Sequence, residues 1–195
     1  MFRFIWTIGM VAAVAATAEG WTDAALAGGQ ETEWTGKPRV LIVYFSHSGV
    51  TKGIAERLQK KLGGALHRIE PAKAYPEEYQ EVLDQARKEI DEGFKPELKG
   101  ASLDLDNVDL VLVGGPVWAG TLAPPLSSFL ARNSLAGKTV APFCTYGGGI
   151  RDYFARFGEA VSKEATVLEG LGLGRADLVK GDEEIEKRID AWLGL

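Results

Sequence analysis

A strand-like apolar segment, Arg39–Phe45, leads directly into the small-residue loop Ser46–Gly49, and a helix is predicted to begin near Thr51. The β-branched residues of the segment are typical of a buried strand in a parallel sheet. The loop lets several backbone N–H groups approach one point, and the helix adds its free N–H groups and the positive end of its dipole. A junction of this kind can bind phosphate. An ordinary strand-to-helix turn explains the same residues, so the interpretation depends on the rest of the chain.

Beyond this junction, strand-like and helix-like segments alternate. Five strands are expected, and they are Arg39–Phe45, Ala65–Glu70, Leu110–Gly114, Thr139–Thr145 and Thr166–Leu168. Five helices are expected near Thr51–Leu62, Pro76–Glu92, Pro124–Ala131, Ile150–Ala160 and Asp182–Leu193. Strands that alternate with helices form a parallel sheet with right-handed crossovers. We therefore predict an α/β fold with a doubly wound five-stranded parallel sheet in the strand order 2-1-3-4-5.

In this strand order, a ligand is expected beyond the carboxyl ends of the first and third strands. Three loops meet there, namely Ser46–Thr51, Gly114–Gly120 and Thr145–Gly149. The first supplies hydroxyls and N–H groups for a phosphate, the second supplies the aromatic face of Trp118, and the third supplies Tyr146 beside three glycines. A flat aromatic ligand with a phosphate tail fits this set. Core packing of Trp118 and a simple glycine turn are the competing interpretations.

The residues of these loops resemble those of the flavodoxin family. The segment Tyr44–Thr51 is similar to the loop that binds the phosphate of FMN in flavodoxins, and the similarity covers nearly all of residues 39–195. Other similar features are Tyr75-Pro76 with Tyr79, Glu89 with Pro96, Gly114–Pro125 before Phe129-Leu130, Gly137-Lys138, Phe143–Gly149 and Trp192-Leu193. The resemblance implies a flavodoxin-like fold with noncovalently bound FMN. It implies phosphate contacts from Ser46, Ser48, Gly49 and Thr51, and flavin contacts from Trp118 and the 146–149 loop.

The candidate cofactor-binding residues come from all three loops. They are Ser46, His47, Ser48, Gly49, Val50, Thr51, Pro116, Val117, Trp118, Ala119, Gly120, Thr145, Tyr146, Gly147, Gly148 and Gly149. Four of them depart from the usual pattern of the family. Ser48 and Val50 stand where Thr and Asn are usual, Ala119 stands where a second aromatic residue is frequent, and Gly149 stands where Ser is usual. These departures predict weaker FMN binding, and they are also compatible with a protein that no longer binds FMN.

Three functions are compatible with these residues. The first is an FMN-binding redox protein, in which the flavin carries the electrons and the protein sets its potential. The second is an FMN-dependent NAD(P)H or quinone oxidoreductase, since the small Ala119 beside Trp118 leaves space over the flavin. The third is a binding module that kept the fold and lost FMN. The expected partner is a redox protein or a small-molecule electron acceptor, and no catalytic residue is assigned.

Charge and composition argue against other classes of function. The chain has 22 Lys and Arg against 27 Asp and Glu, which gives a net charge of −5, and it has no basic tract for nucleic acid. Its single cysteine, Cys144, lies in an apolar segment and is expected to be a buried thiol without an internal disulfide. The two histidines, His47 and His67, are too few and too scattered to predict a metal cluster.

The N-terminal residues have the pattern of a secretory signal peptide. Arg3 precedes the apolar stretch Phe4–Ala16, and Ala16-Thr17-Ala18 is a typical cleavage pattern. Residues 1–18 are therefore predicted to be a signal peptide, residues 19–38 a linker and residues 39–195 the domain. This organisation predicts an exported, periplasmic protein. The alternative is an uncleaved N-terminal anchor, and only in that case would the protein contact a membrane.

Overall fold

The computed structural model of the protein describes residues 38–195. The predicted signal peptide at residues 1–18 lies outside the described residues, and so does the predicted linker at residues 19–38 except for Pro38. None of the helices in the described part has both the length and the apolar character that a membrane span requires.

Residues 38–195 form seven strands and six helices. The strands are β1 (Val40–Tyr44), β2 (Ala65–Arg68), β3 (Leu110–Trp118), β4 (Thr121–Leu122), β5 (Thr139–Tyr146), β6 (Thr166–Val167) and β7 (Leu171–Gly174). The helices are α1 (Val50–Leu62), α2 (Tyr79–Asp91), α3 (Pro124–Arg132), α4 (Tyr153–Ala160), α5 (Arg175–Leu178) and α6 (Asp182–Leu193). A helix follows most of the strands, as the alternating pattern of the sequence predicts.

The sheet confirms the predicted strand order. Its parallel strands run in the order β2-β1-β3-β5-β6. On the outer side of β5, β6 pairs with the first part of the strand and β7 pairs with the last part. This is the predicted order 2-1-3-4-5, with β5 in the fourth position and with β6 and β7 sharing the fifth. β1 pairs with β3 from Val40 with Leu110 to Tyr44 with Gly114, so the two strands end side by side. Their carboxyl ends therefore form the point where the winding direction reverses.

Apolar side chains cover both faces of the sheet. On one face, Ile42 and Leu112 pack with Leu58 of α1 and Ile189 of α6, and all four side chains are fully buried. On the opposite face, Val111 packs with apolar side chains of α2, α3 and α4. Burial of one such aliphatic side chain contributes about 1.5–3 kcal/mol. The two helical layers therefore hold the sheet in place, as the doubly wound prediction requires, and the loops at its carboxyl edge can carry the site.

Helix α2 begins three residues later than the predicted start at Pro76. Glu78 has an extended backbone with ψ of 127°, and the N–H of Val82 donates to the Glu78 carbonyl at 3.0 Å. Tyr75, whose ring is buried against Trp118, lies just before this segment. The helical hydrogen bonds therefore begin only at the Glu78 carbonyl.

The sequence pattern does not predict β7, because its residues alternate leucine with glycine and lack β-branched side chains. Close contacts explain the glycines. A Cβ on Gly172 would lie 2.5 Å from Ile150 Cδ1, and a Cβ on Gly174 would lie 2.7 Å from the Tyr146 ring. Only glycine permits these contacts, so the side chains that follow β5 fold back over the sheet edge.

Cys144 lies in β5 and is 1% exposed, which confirms the prediction of a buried thiol. Burial raises the pKa of this thiol to about 12. Because the thiolate is the reactive form, we expect no reaction of the folded protein with a thiol reagent at neutral pH. After unfolding in guanidinium chloride, the same reagent should label every chain once. Rapid labelling of the folded protein would contradict the buried position.

Candidate functional site

The first loop is held by a hydrogen bond within itself. The Gly49 N–H donates to Ser46 Oγ at 3.2 Å, and Ser46 is buried. Gly49 has a φ of +91°, a left-handed conformation that glycine adopts without strain. His47 and Ser48 are exposed, and apart from Gly49 and its two chain neighbours no described residue has an atom within 4 Å of the place where a Gly49 Cβ would stand. The loop therefore turns its backbone toward open space.

Helix α1 begins behind this loop, and no side chain of the described residues caps it. Its first turn contains no acidic residue. The N–H of Gly53 donates to the Gly49 carbonyl at 3.0 Å, so the N–H groups of Val50, Thr51 and Lys52 precede the helical ladder. These donors and the positive end of the helix dipole fit an anion such as phosphate. The Val50 side chain is apolar and has no donor group, so Val50 can contribute only its backbone N–H to that anion.

A hydrogen bond joins the start of α1 to the third loop. The hydroxyl oxygens of Thr51 and Thr145 lie 2.8 Å apart, and both side chains are buried. Thr145 lies near the end of β5, where it pairs with Pro116 of β3. The bond therefore ties α1 to the two strands that carry the other loops. The structure brings the three predicted loops together at one edge of the sheet.

The second loop is the turn of a short hairpin. β3 continues past its predicted end at Gly114 as far as Trp118, and β4 returns antiparallel beside it. Ala119 and Gly120 form the turn between them, with φ angles of 49° and 88°. Positive φ at both central residues matches the twist of hairpin strands. The sequence signal that could have revealed this hairpin is the Ala-Gly pair between two residues of strand character, Trp118 and Thr121.

Trp118 is buried in an aromatic cluster and does not face open space. It is 7% exposed, and its ring centroid lies 4.9 Å from that of Tyr75 and 5.2 Å from that of Phe45, edge-on in both contacts. His47 of the first loop lies 5.8 Å away, also edge-on. The neighbouring Val117 is half-buried. This arrangement agrees with the core-packing interpretation of Trp118, and the exposed tip of the second loop is formed by the Ala-Gly turn.

A buried carboxylate fixes the tyrosine of this cluster. The Tyr75 hydroxyl donates a hydrogen bond to Glu89 Oε2, and Gln85 Nε2 donates to Glu89 Oε1 at 2.7 Å. Burial, together with the Glu89 carboxylate, raises the pKa of Tyr75, so its hydroxyl stays a donor at neutral pH. Sequence reasoning named Tyr75 and Glu89 only as family features and gave them no role. The structure shows that they orient the ring against which Trp118 packs.

The third loop presents its backbone to the crevice. The Tyr146 ring lies on Gly174 of β7, and its burial there raises the pKa of the Tyr146 hydroxyl. Gly147, Gly148 and Gly149 follow, and no described atom lies within 4 Å of the places where their Cβ atoms would stand. The loop can therefore offer a ligand unhindered backbone N–H and C=O groups.

A separate groove lies outside the three loops. It has a volume of about 720 Å³ and is lined by residues of α2, α3 and α4 and their flanking segments, among them Phe94, Leu122 and Arg156. Its described lining includes none of the predicted site residues. Ligands of doubly wound sheets bind at the carboxyl ends of the strands, and the free helix N-terminus lies at that edge. We therefore place the candidate site on the loops and not in the groove.

Similarity to known proteins identifies the family. The sequence pattern of the family described as Flavodoxin matches residues 39–171. The protein belongs to the flavodoxin family. This flavodoxin is similar to a proposed flavoprotein from Bacteroides eggerthii DSM 20697, with 30% identity and a TM-score of 0.67, over 80% of this chain and 96% of that chain. It is also similar to a flavoprotein from Lactobacillus acidophilus NCFM solved in complex with FMN, with 28% identity and a TM-score of 0.60, over 73% of this chain and 97% of that chain.

The family match confirms the predicted family and fold. It runs from the residue before β1 to the first residue of β7, so all three loops of this flavodoxin lie within it. A proposed flavoprotein from Bacteroides uniformis ATCC 8492 is similar as well, with 25% identity and a TM-score of 0.67, over 80% of this chain and 99% of that chain. No curated protein matches the chain.

Proposed function

We propose that this flavodoxin is a redox protein that transfers electrons through noncovalently bound FMN. Membership of the family supports FMN binding, and so does the similarity to the Lactobacillus acidophilus flavoprotein solved with FMN. The observation that carries the proposal is the uncapped N-terminus of α1 behind an open glycine loop, because this arrangement fits the phosphate of FMN.

The first loop and the start of α1 would hold the phosphate. The backbone N–H groups of Val50 and Thr51 are the candidate donors, together with the Thr51 hydroxyl, which also meets that of Thr145, and the exposed Ser48 hydroxyl. Ser46 Oγ already accepts from Gly49, so that hydroxyl shapes the loop in addition to any contact with phosphate. Val50 stands where the family usually has Asn, so one possible side-chain donor is missing, whereas the backbone donors remain.

The flavin ring would lie against the second and third loops, where Ala119 is exposed and residues 147–149 leave backbone uncovered. FMN supplies the electron chemistry when bound. The protein binds and orients the ring and sets its potential through hydrogen bonds and nearby charge. The net charge of −5 disfavours further negative charge on the ring and so lowers its potential.

A titration with two flavins tests this proposal. The purified protein should be yellow, or its apoprotein should take up FMN and quench the fluorescence of the flavin. Riboflavin, which lacks the phosphate, should bind at least about tenfold more weakly, because hydrogen bonds to a charged group contribute about 1.5–3 kcal/mol each. Equal affinities for the two flavins would contradict the phosphate assignment. A colourless protein that takes up no FMN would contradict the function and favour a binding module that has lost the cofactor.

An FMN-dependent NAD(P)H or quinone oxidoreductase is the second candidate. The exposed Ala119 favours it, because the tip of the second loop carries no aromatic side chain that could cover a flavin. One face of the ring would then be open to a small molecule. Steady-state oxidation of NADH or NADPH with a quinone as acceptor would support this candidate. Flavin that is reduced only through a protein partner would support electron transfer between proteins.

We also propose, from the residue pattern at the N-terminus, that the protein is exported and cleaved. Its electron partner would be a redox protein or a small molecule. Mass spectrometry of the protein from its native cells should find a new N-terminus at Glu19, or at Gly28 if cleavage follows the second small-residue pattern, Ala25-Leu26-Ala27. An intact Met1 on a protein of the soluble cell fraction would contradict this prediction. An intact chain in the membrane fraction would favour the anchored alternative.

A further inference from the structure

The backbone at Arg151 has an unusual conformation. Among residues 38–195, only Ala119 and Arg151 have a positive φ without being glycine, and their φ angles are 49° and 47°. Both lie beside the predicted flavin crevice, Ala119 in the second loop and Arg151 two residues after the end of the third. A left-handed conformation is unfavourable for an arginine. It also delays the start of α4 from the predicted Ile150 to Tyr153. Strained residues of this kind often belong to functional sites.

The side chain of Arg151 crosses from the third loop to the second. A Cβ on Gly120 would lie 2.5 Å from Arg151 Cδ and 3.3 Å from its Nε. Gly120 has a φ of +88°, so glycine is required there by its own conformation as well as by the arginine. The aliphatic stem of Arg151 therefore lies across the hairpin turn, at the border between the second loop and the third loop.

The charge of Arg151 has no partner in the described part of the chain. Its guanidinium makes no hydrogen bond or ion pair with residues 38–195, whereas the adjacent Asp152 pairs with Arg156 at 3.2 Å. Asp152, the N-cap residue of α4, supplies a carboxylate at the positive end of that helix dipole but pairs with Arg156. An anion beside Arg151 would balance the side-chain charge that is left.

We propose that Arg151 stabilises the negative charge that bound FMN acquires on reduction. This inference rests on the proposed function. Uptake of two electrons and one proton from a reductant adds one negative charge to the flavin ring, and a guanidinium at the border of the second and third loops attracts that charge. Arg151 thus raises the reduction potential of the flavin and opposes the effect of the acidic protein surface. Its effect on oxidised FMN, whose ring is neutral, is small.

Replacement of the charge tests this role. R151Q should weaken the binding of dithionite-reduced FMN about tenfold more than that of oxidised FMN, as expected for one partly screened charge pair. For a two-electron couple, this ratio lowers the midpoint potential by about 30 mV. R151K should keep most of the wild-type potential. R156Q is the matched control, because it removes the same charge from an ion-paired arginine of α4 and should leave the potential unchanged.

A glycine variant at position 151 separates the effect of the charge from the effect of the strained backbone. R151G should raise the melting temperature of the apoprotein, since glycine adopts the left-handed conformation without strain, and it should still lower the potential as R151Q does. The shift should also shrink at high salt, since salt screens exposed charges. Wild-type and R151Q proteins of equal potential, or an equal shift in R156Q, would overturn the inference while FMN binding stands. A wild-type protein that binds no FMN would overturn the proposed function and this inference with it.

Discussion

The Trp118→Ala variant should lose about 3–5 kcal/mol of the free energy of unfolding, as is typical when a large buried aromatic side chain is removed. Trp118 is 7% exposed, and its ring meets Tyr75 and Phe45 edge-on, so the deletion leaves a cavity between β3 and the segment before α2. Glu89 holds Tyr75 by a buried hydrogen bond, which limits the collapse of that cavity. Equilibrium unfolding in urea, followed by far-UV circular dichroism, measures the loss.

Two variants keep this prediction testable. W118F retains an aromatic ring in the cluster and should lose less stability than W118A. W192A is the control, because Trp192 is only partly buried, on α6, and its indole N–H donates to the Glu169 carbonyl at 2.9 Å. Equal losses in W118A and W192A would show that the cluster does not depend on Trp118.

Quenching of tryptophan fluorescence by FMN should fall in W118F if the indole borders the flavin, and unchanged quenching would leave Trp118 with a packing role alone.

The Thr51→Ala variant should weaken FMN binding by about 1–3 kcal/mol, or about fivefold to 150-fold in affinity, because a hydrogen bond to a charged group would be left unmade. Thr51 lies in the first turn of α1, where the N–H groups are uncapped, and its hydroxyl meets that of Thr145 at 2.8 Å. Titration of the apoprotein with FMN measures the change. Affinity equal to that of the wild type would show that Thr51 does not serve the phosphate.

Variants of Thr51 and Thr145 separate a direct contact with the phosphate from a role in holding the loops together. T51S keeps the hydroxyl and should bind FMN nearly as well as the wild type. T145V removes the buried partner of Thr51 and should lower stability, since it leaves one buried hydroxyl without its partner. If T145V weakens FMN as much as T51A does, the pair acts by holding the loops together. If T145V binds FMN normally and T51A does not, Thr51 acts on the phosphate directly.

The potential of the flavin depends on charges that lie at different distances. The net charge of −5 is spread over the molecule and acts weakly on any one group through solvent. Arg151 is a single cation at the border of the predicted flavin loops, so its effect should exceed that of any one distant acid. The contribution of charge to the potential is therefore a balance between a diffuse negative field and one local positive charge.

Local sequence patterns were sufficient for the fold and for the edge of the sheet at which the three predicted loops lie. The run Arg39–Phe45 predicts β1 because β-branched residues favour a buried strand, and the loop that follows it predicts α1 because small residues precede a helical pattern. Alternation of strands and helices then leaves few topologies, and the predicted strand order is confirmed. Each of these signals lies within a short stretch of chain, so it is present in the sequence before folding.

Contacts between distant segments were decided only by the tertiary structure. Trp118 is buried because Tyr75, which is far from it in sequence, is held against it by Glu89. The Tyr146 ring lies against Gly174 of an unpredicted strand, because glycine there has no side chain to keep the ring away. The burial of a side chain depends on contacts with residues that folding brings together from distant parts of the chain. Neither residue periodicity nor loop composition predicts these contacts. The sequence therefore predicted three loops that the fold brings to one edge of the sheet, whereas the packing of the chain determined which side chains remain exposed there.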